Sequence, residues 1–187
     1  AGSTEAQTAV QQMKAAGIEN VYVLVSPVWW LQVLQAAKTQ QYTPQWVGVG
    51  ITKTFDTVAA VGCRNGTIDG SKFFSPFPAW ADIDKFDPNF KKAVQEIYPE
   101  EGGGDDFMVL GYSASKVGGE LLKRAGRDLT RQGFIESTQN AKNVKTGTMP
   151  TLNFSPDDHF GANTVLVDEA RCSDAKWHVL IPYTSNF

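Results

Sequence analysis

Four stretches of the chain carry residue types and spacings that could do chemistry. Ser155 to Gly161, SPDDHFG, offers Asp157, Asp158 and His159 as metal ligands. Consecutive side chains converge poorly on one ion, and Ser-Pro-Asp-Asp is turn chemistry, so a turn is expected. Gly48 and Gly50 ahead of Lys53-Thr54 suggest a phosphate loop, but the third glycine of GxGxxG is absent and the Lys-Thr pair is out of Walker spacing. Cys63 and Cys172 lie outside any Cys-His signature, no G-x-S-x-G is present, and His178 sits in a strand-like segment. These patterns predict no enzyme, no metal site and no cofactor. The fourth stretch, NVYVLVSPVWWLQVLQ from Asn20 to Gln35, holds binding chemistry instead: an apolar run ending in Ser-Pro, then two adjacent tryptophans.

The elements around that stretch would position it. Val21 to Val25 form a continuous β-branched and aromatic run, expected of a strand covered on both faces. Ser26 fits an N-cap and Pro27 the first helical position, where its missing N–H costs nothing. Trp30, Val33, Leu34 and Ala37 then share one apolar helical face. Trp29 lies about 100° round the helix from Trp30, at the edge of that face, and either joins the core or lines a cleft.

Elsewhere helix and strand alternate. Ala6, Val10 and Met13 mark a helix ended by Gly17, followed by strand 21–25, helix 27–41, strand 45–50 and a helix over about 54–61. TIDGSKFFSPFP supplies another strand and exits through Pro76 and Pro78. This alternation predicts an α/β fold with a parallel sheet. From Asp87 to Asn140 the pattern is mostly helical, with starts at Asp87-Pro88, at Asp105 or Asp106 after GGGDD, and at Thr130. NTVLVDEA and KWHVLIP then read as a closing hairpin.

Composition excludes some partners. The chain has 187 residues, 42% hydrophobic and 20% charged, with a formal net charge of −3. That is ordinary globular composition without a basic cluster, which argues against nucleic acid and an anionic membrane surface and for a small or neutral partner. No apolar run approaches the roughly 18 to 20 residues of a membrane span.

In order, VGVGITKTFD, GSKFFSPFPAW, DPNFKKAVQEIYPE, DDFMVLGYSASKVGGELLKRAG, DLTRQGFIESTQN and MPTLNFSPDDHFGANTVLVDEA resemble the second half of the branched-chain amino acid (Leu/Ile/Val-binding) type of periplasmic solute-binding protein, the extracytoplasmic receptor of an ABC importer. The similarity runs from about Gln7 to Pro182, carried by the order of the segments rather than by any one motif. It implies a type I periplasmic-binding-protein fold, whose two lobes are doubly wound parallel sheets. Residues 1–76 and 147–187 would form the C-terminal lobe and 77–146 the helical part of the N-terminal lobe. The chain would then be a C-terminal fragment of a bacterial protein of the periplasm or cell surface. Its helical faces (Phe90, Val94, Ile97; Val109, Tyr112, Val117, Leu121) would pack on a second copy or on the missing N-terminal fragment.

By the same resemblance Ser26, Pro27 and Trp29 face the interlobe cleft, and Phe107 is an aromatic contact from the other lobe. A helix N-terminus at Pro27 suits a carboxylate. Where amino-acid-binding members carry a carboxylate for the solute's ammonium, this chain has Gly50. Either Asp56 replaces it, or the solute is a neutral or carboxylate-bearing molecule, aromatic or aliphatic. The partners implied are that solute and a membrane permease. A ligand-sensing regulatory domain of the same fold is the alternative reading. Placement outside the cytoplasm, with Cys63 and Cys172 in one lobe, further implies a Cys63–Cys172 disulfide rather than two buried thiols.

Overall fold

The computed structural model of the chain describes residues 3–99, 104–127 and 129–184. Helix α1 spans Thr4–Ala15, with the Ser3 side chain accepting the Ala6 N–H as its cap. Strand β1 (Asn20–Val23) leads to α2 (Pro27–Thr39), where Ser26 caps by accepting the Trp29 N–H and Pro27 occupies the first turn. Strand β2 (Gln45–Val49) runs into a 3-10 turn, Gly50–Lys53, and then α3 (Asp56–Asn65). Helix α3 therefore lies later than its expected 54–61 span. It stops at Gly66, whose φ of 68° is a left-handed cap that a side chain would strain.

Strand β3 (Lys72–Ser75) ends the first run. A 3-10 segment, Trp80–Lys85, precedes α4 (Pro88–Ile97), α5 (Asp106–Ala125) and α6 (Arg131–Gln139), capped by Asp87, Asp105 and Thr130 respectively. Of GGGDD, Gly102 and Gly103 lie outside the described residues. Strands β4 (Val165–Arg171) and β5 (Lys176–Thr184) close the chain as an antiparallel hairpin.

The five strands lie in the order β1-β2-β3-β4-β5, parallel through β3 and antiparallel thereafter. The sheet is thus mixed, because the last two strands return through a hairpin and not through crossover helices. Register places Val23, Trp46, Phe73, Ala170 and Trp177 on one face, and they form a single core with α1, α2 and α3. Trp30 is fully buried in it, edge-on to Trp46 at 4.8 Å between ring centroids.

Strand β1 departs from the two-sided burial expected of it. It ends at Val23, it is an edge strand, and Tyr22 and Leu24 are exposed. The continuous apolar run cannot reveal this, since position in the sheet and not composition decides which faces are covered.

The helical interval, together with Leu152 of the segment that follows it, builds two smaller cores. Phe77, Trp80, Ile83, Phe90, Val94 and Val109 form one; Leu121, Ala141, Val144 and Leu152 form the other. This corrects the expectation that those helical faces need a neighbouring chain. Phe90, Val94, Val109 and Leu121 are buried within the chain, Tyr112 stacks on Phe90, and Val117 packs on the second cluster, whereas Ile97 is exposed. Cys63 near the end of α3 and Cys172 just after β4 are joined by a disulfide.

Candidate functional site

The carboxyl ends of the parallel strands β1–β3 converge on one surface, the place where open α/β sheets bind ligands. Ser26 follows β1 there. Its Oγ accepts the Trp29 N–H at 3.3 Å, which leaves the hydroxyl proton to be donated elsewhere. Trp29 is 37% exposed while Trp30 is wholly buried, so the two tryptophans divide between surface and core. Leu24 and Val28 beside them are also exposed, giving this loop an apolar outer face.

The neighbouring segment is stitched to that loop by the Thr52 hydroxyl, which donates to the Val25 carbonyl at 2.9 Å. Gly50 begins this segment and is buried, pressed against β3. A Cβ at Gly50 would lie 2.6 Å from Ser75 Oγ and 3.1 Å from Ser75 Cα, so the backbone leaves no room for a carboxylate side chain. Asp56 starts α3, and its side chain lies outside the described part of the structure. Ile51 is exposed on the same segment.

Phe107 enters from α5. Its N–H donates to the Thr54 carbonyl at 3.0 Å, and its half-exposed ring lies 5.7 Å from that of Phe55. Contacts therefore run without a break from Val25 through Thr52 and Thr54 to Phe107. Ser26, Trp29, Gly50 and Phe107 all sit on or beside this run. The surface combines a helix N-terminus and a hydroxyl with exposed aromatic and aliphatic groups, chemistry suited to a small organic molecule with an anionic end.

Behind this surface lies a group the sequence pattern did not single out. Lys53 is completely buried, and its ammonium hydrogen-bonds Asp106 and stands 2.9 Å from Asp168 Oδ2. The Phe77 and Trp177 rings flank it at 5.8 and 5.7 Å. Burial pushes the Lys53 pKa down, but the charges of Asp106 and Asp168 outweigh that and hold it above the usual value. Asp168 is the poorer partner: the Lys53 ammonium and the Ala79 N–H lie beside its carboxylate, but neither meets an oxygen in good alignment. Burial, with the Asp106 charge adding to it, raises its pKa to about 7 against the pull of Lys53.

The passages between sheet and helical interval are tied at a second point. The Tyr183 hydroxyl, near the end of β5, reaches the carbonyls of Pro76 at 3.1 Å and Thr148 at 2.8 Å, one on each passage. Burial and the Asp168 charge raise its pKa, so it remains a donor. Elsewhere, SPDDHFG is a turn in which Ser155 and Asp158 exchange backbone hydrogen bonds. An apolar concavity of about 220 Å³ between that turn and α6, lined by Phe134, Phe154 and His159 among others, includes no residue of the strand-end surface.

A family model described as periplasmic binding protein matches residues 1–175. No curated protein sequence matches the chain. Solved structures share its fold. A solute-binding protein of an ABC transporter from R. palustris in complex with benzoate is 19% identical, with a TM-score of 0.72 over 98% of this chain and 49% of its own. A fatty acid ABC transporter substrate-binding protein from Thermomonospora curvata is 17% identical, with a TM-score of 0.75 over 96% and 46%. A branched-chain amino acid ABC transporter protein from Thermus thermophilus with bound valine is 14% identical, with a TM-score of 0.70 over 96% and 49%. The chain thus spans just under half the length of each.

Proposed function

Because the chain belongs to the periplasmic binding protein family, whose setting is extracytoplasmic, we propose that it forms part of a receptor that captures a small organic solute for an ABC importer. In this reading, residues 1–76 and 147–187 belong to one lobe and 77–146 to the other. The main core is built largely from the first range and the two helical cores largely from the second, with Ala79, Leu152 and Phe154 packing across the boundaries. The solute lies between the Ser26–Trp29 loop and Phe107, is released to a membrane permease, and the source is bacterial.

One observation carries the solute class. Gly50 has no room for the carboxylate that would pair an ammonium, and the buried carboxylates Asp106 and Asp168 are both engaged by Lys53. Burying an unpaired ammonium costs several kcal/mol, whereas the α2 N-terminus and the Ser26 hydroxyl suit a carboxylate. An aromatic or aliphatic carboxylate is therefore favoured over an α-amino acid. Benzoate, fatty acids and valine, named for the solved structures, make the natural probes.

Calorimetry with benzoate, octanoate and valine tests this, alongside mass spectrometry of small molecules released after native purification. A carboxylate lacking an ammonium should bind, and Trp29→Ala should weaken it tenfold or more, about 1.4 kcal/mol. Valine binding to the exclusion of both other acids would overturn the class. In this reading the 187-residue chain supplies one wall and only part of the other, so it should bind at least tenfold more weakly than protein with both lobes, since solute pockets usually bury about 70–90% of the ligand.

A further inference from the structure

We infer that Lys53 is a positioning residue for the aromatic wall of the cleft, setting the Phe55–Phe107 pair through its buried contact with Asp106. The use of that wall rests on the solute-binding reading above; the geometry does not. Three consecutive residues of one segment meet two consecutive residues of another. The Lys53 ammonium bonds the Asp106 carboxylate, the Thr54 carbonyl accepts the Phe107 N–H, and the Phe55 ring lies against the Phe107 ring. Asp106 is the first residue of α5, and its other oxygen accepts the Trp80 N–H, so the start of the helix is held from two sides. Phe107 itself is 52% exposed and, among the described residues, belongs to none of the three core clusters. What places it is the residue before it.

A buried ion pair is a poor source of net stability, because desolvation of both charges offsets their attraction. Replacing all the charges by similar shapes is therefore tolerable for folding, while the directional link from Lys53 to α5 disappears. A role in placement thus predicts a separation: the core stays as it is and the two cleft rings move. Asp168 provides the internal control, since it neighbours the same ammonium but lies on β4 and does not touch α5 through it.

The experiment is 19F NMR of the 187-residue chain labelled with 4-fluorophenylalanine, with Phe55, Phe107 and, as reference, Phe134 on the second helical core assigned by single Phe→Leu variants. In the combined variant Lys53→Met, Asp106→Asn, Asp168→Asn, the Phe55 and Phe107 resonances should shift and broaden while Phe134 stays. Asp168→Asn alone should leave all three in place, and Lys53→Arg should hold Phe107 nearer its parent position than the combined variant does. Parent shifts for Phe55 and Phe107 in the combined variant would overturn the proposal, as would equal movement in Asp168→Asn. Should the combined variant lose all dispersion, Asp106→Asn gives the same reading, and an unmoved Phe107 there is again a refutation. No ligand enters this measurement, so its failure leaves the solute-binding reading standing. Conversely, absence of benzoate, octanoate and valine binding would sink that reading without touching the ring positions.

Discussion

Gly50 shows how close packing between two segments can forbid a side chain. The close approach of β3 at Ser75 demands a residue without a Cβ, so the position is closed to any side chain. Gly50→Ala should destabilise the protein by about 1–3 kcal/mol, the usual cost of overpacking a buried site. Urea denaturation checks this, and an unchanged midpoint would show that Ser75 yields freely. Trp29 and Trp30 make the complementary point: adjacent residues of one type take opposite fates because a helix turns between them.

At the scale of elements, the return of the chain from the helical interval to the sheet is secured covalently. The disulfide joins α3 to the turn after β4 across 109 residues, and the Cys172 N–H also donates to Asp69 at 2.8 Å. Closing a loop of on the order of 100 residues stabilises by up to ~4.7 kcal/mol in the chain-entropy account, with native strain usually lowering the figure. Reduction should therefore lower stability by about 2–4 kcal/mol and loosen the β4–β5 hairpin first. Denaturation with and without reductant measures the loss, and hydrogen exchange along residues 165–184 locates it. Equal protection in both states would mean that pairing with β3 alone holds the hairpin.

For the whole molecule, the buried cluster at Lys53 couples stability to pH. Folded, Asp168 keeps its proton up to about pH 7. Unfolded, an aspartate releases it near pH ~4. Between these values the folded chain binds more protons than the unfolded one, so this group's contribution falls as pH rises from about 4 to about 7 and is level above that. Asp82 and Asp87 act in the other direction. Burial raises their pKa values, but Lys85 and the Val179 N–H at Asp82, and Lys116 and Tyr112 at Asp87, outweigh it and hold both low. Their contribution is present above the unfolded value and is lost as pH falls through the folded one. Asp168→Asn should consequently remove a downward slope between pH ~4 and ~7 and exceed the parent in stability at pH ~8. A variant profile parallel to the parent's, measured by urea denaturation across that range, would contradict this.

Local chemistry alone marked most of the helices and strands, though not the bounds of β1 and α3 or the two 3-10 segments. Ser26 with Pro27, Asp87 with Pro88, and Thr130 mark helix starts because they satisfy or forgo N–H groups that the helix leaves unpaired. The apolar periodicity of α2 likewise marks its buried side. The order of segments was enough for the family and, through it, for the pairing of Cys63 with Cys172. Tertiary structure alone decided the rest. Lys53, Asp106 and Asp168 are far apart in sequence, each unremarkable where it stands, and only folding brings one ammonium between two carboxylates. Edge or centre of a sheet, and an opening left or closed beside a glycine, are likewise relations between distant segments. Neither periodicity nor capping, which reach only a few residues along the chain, carries that information.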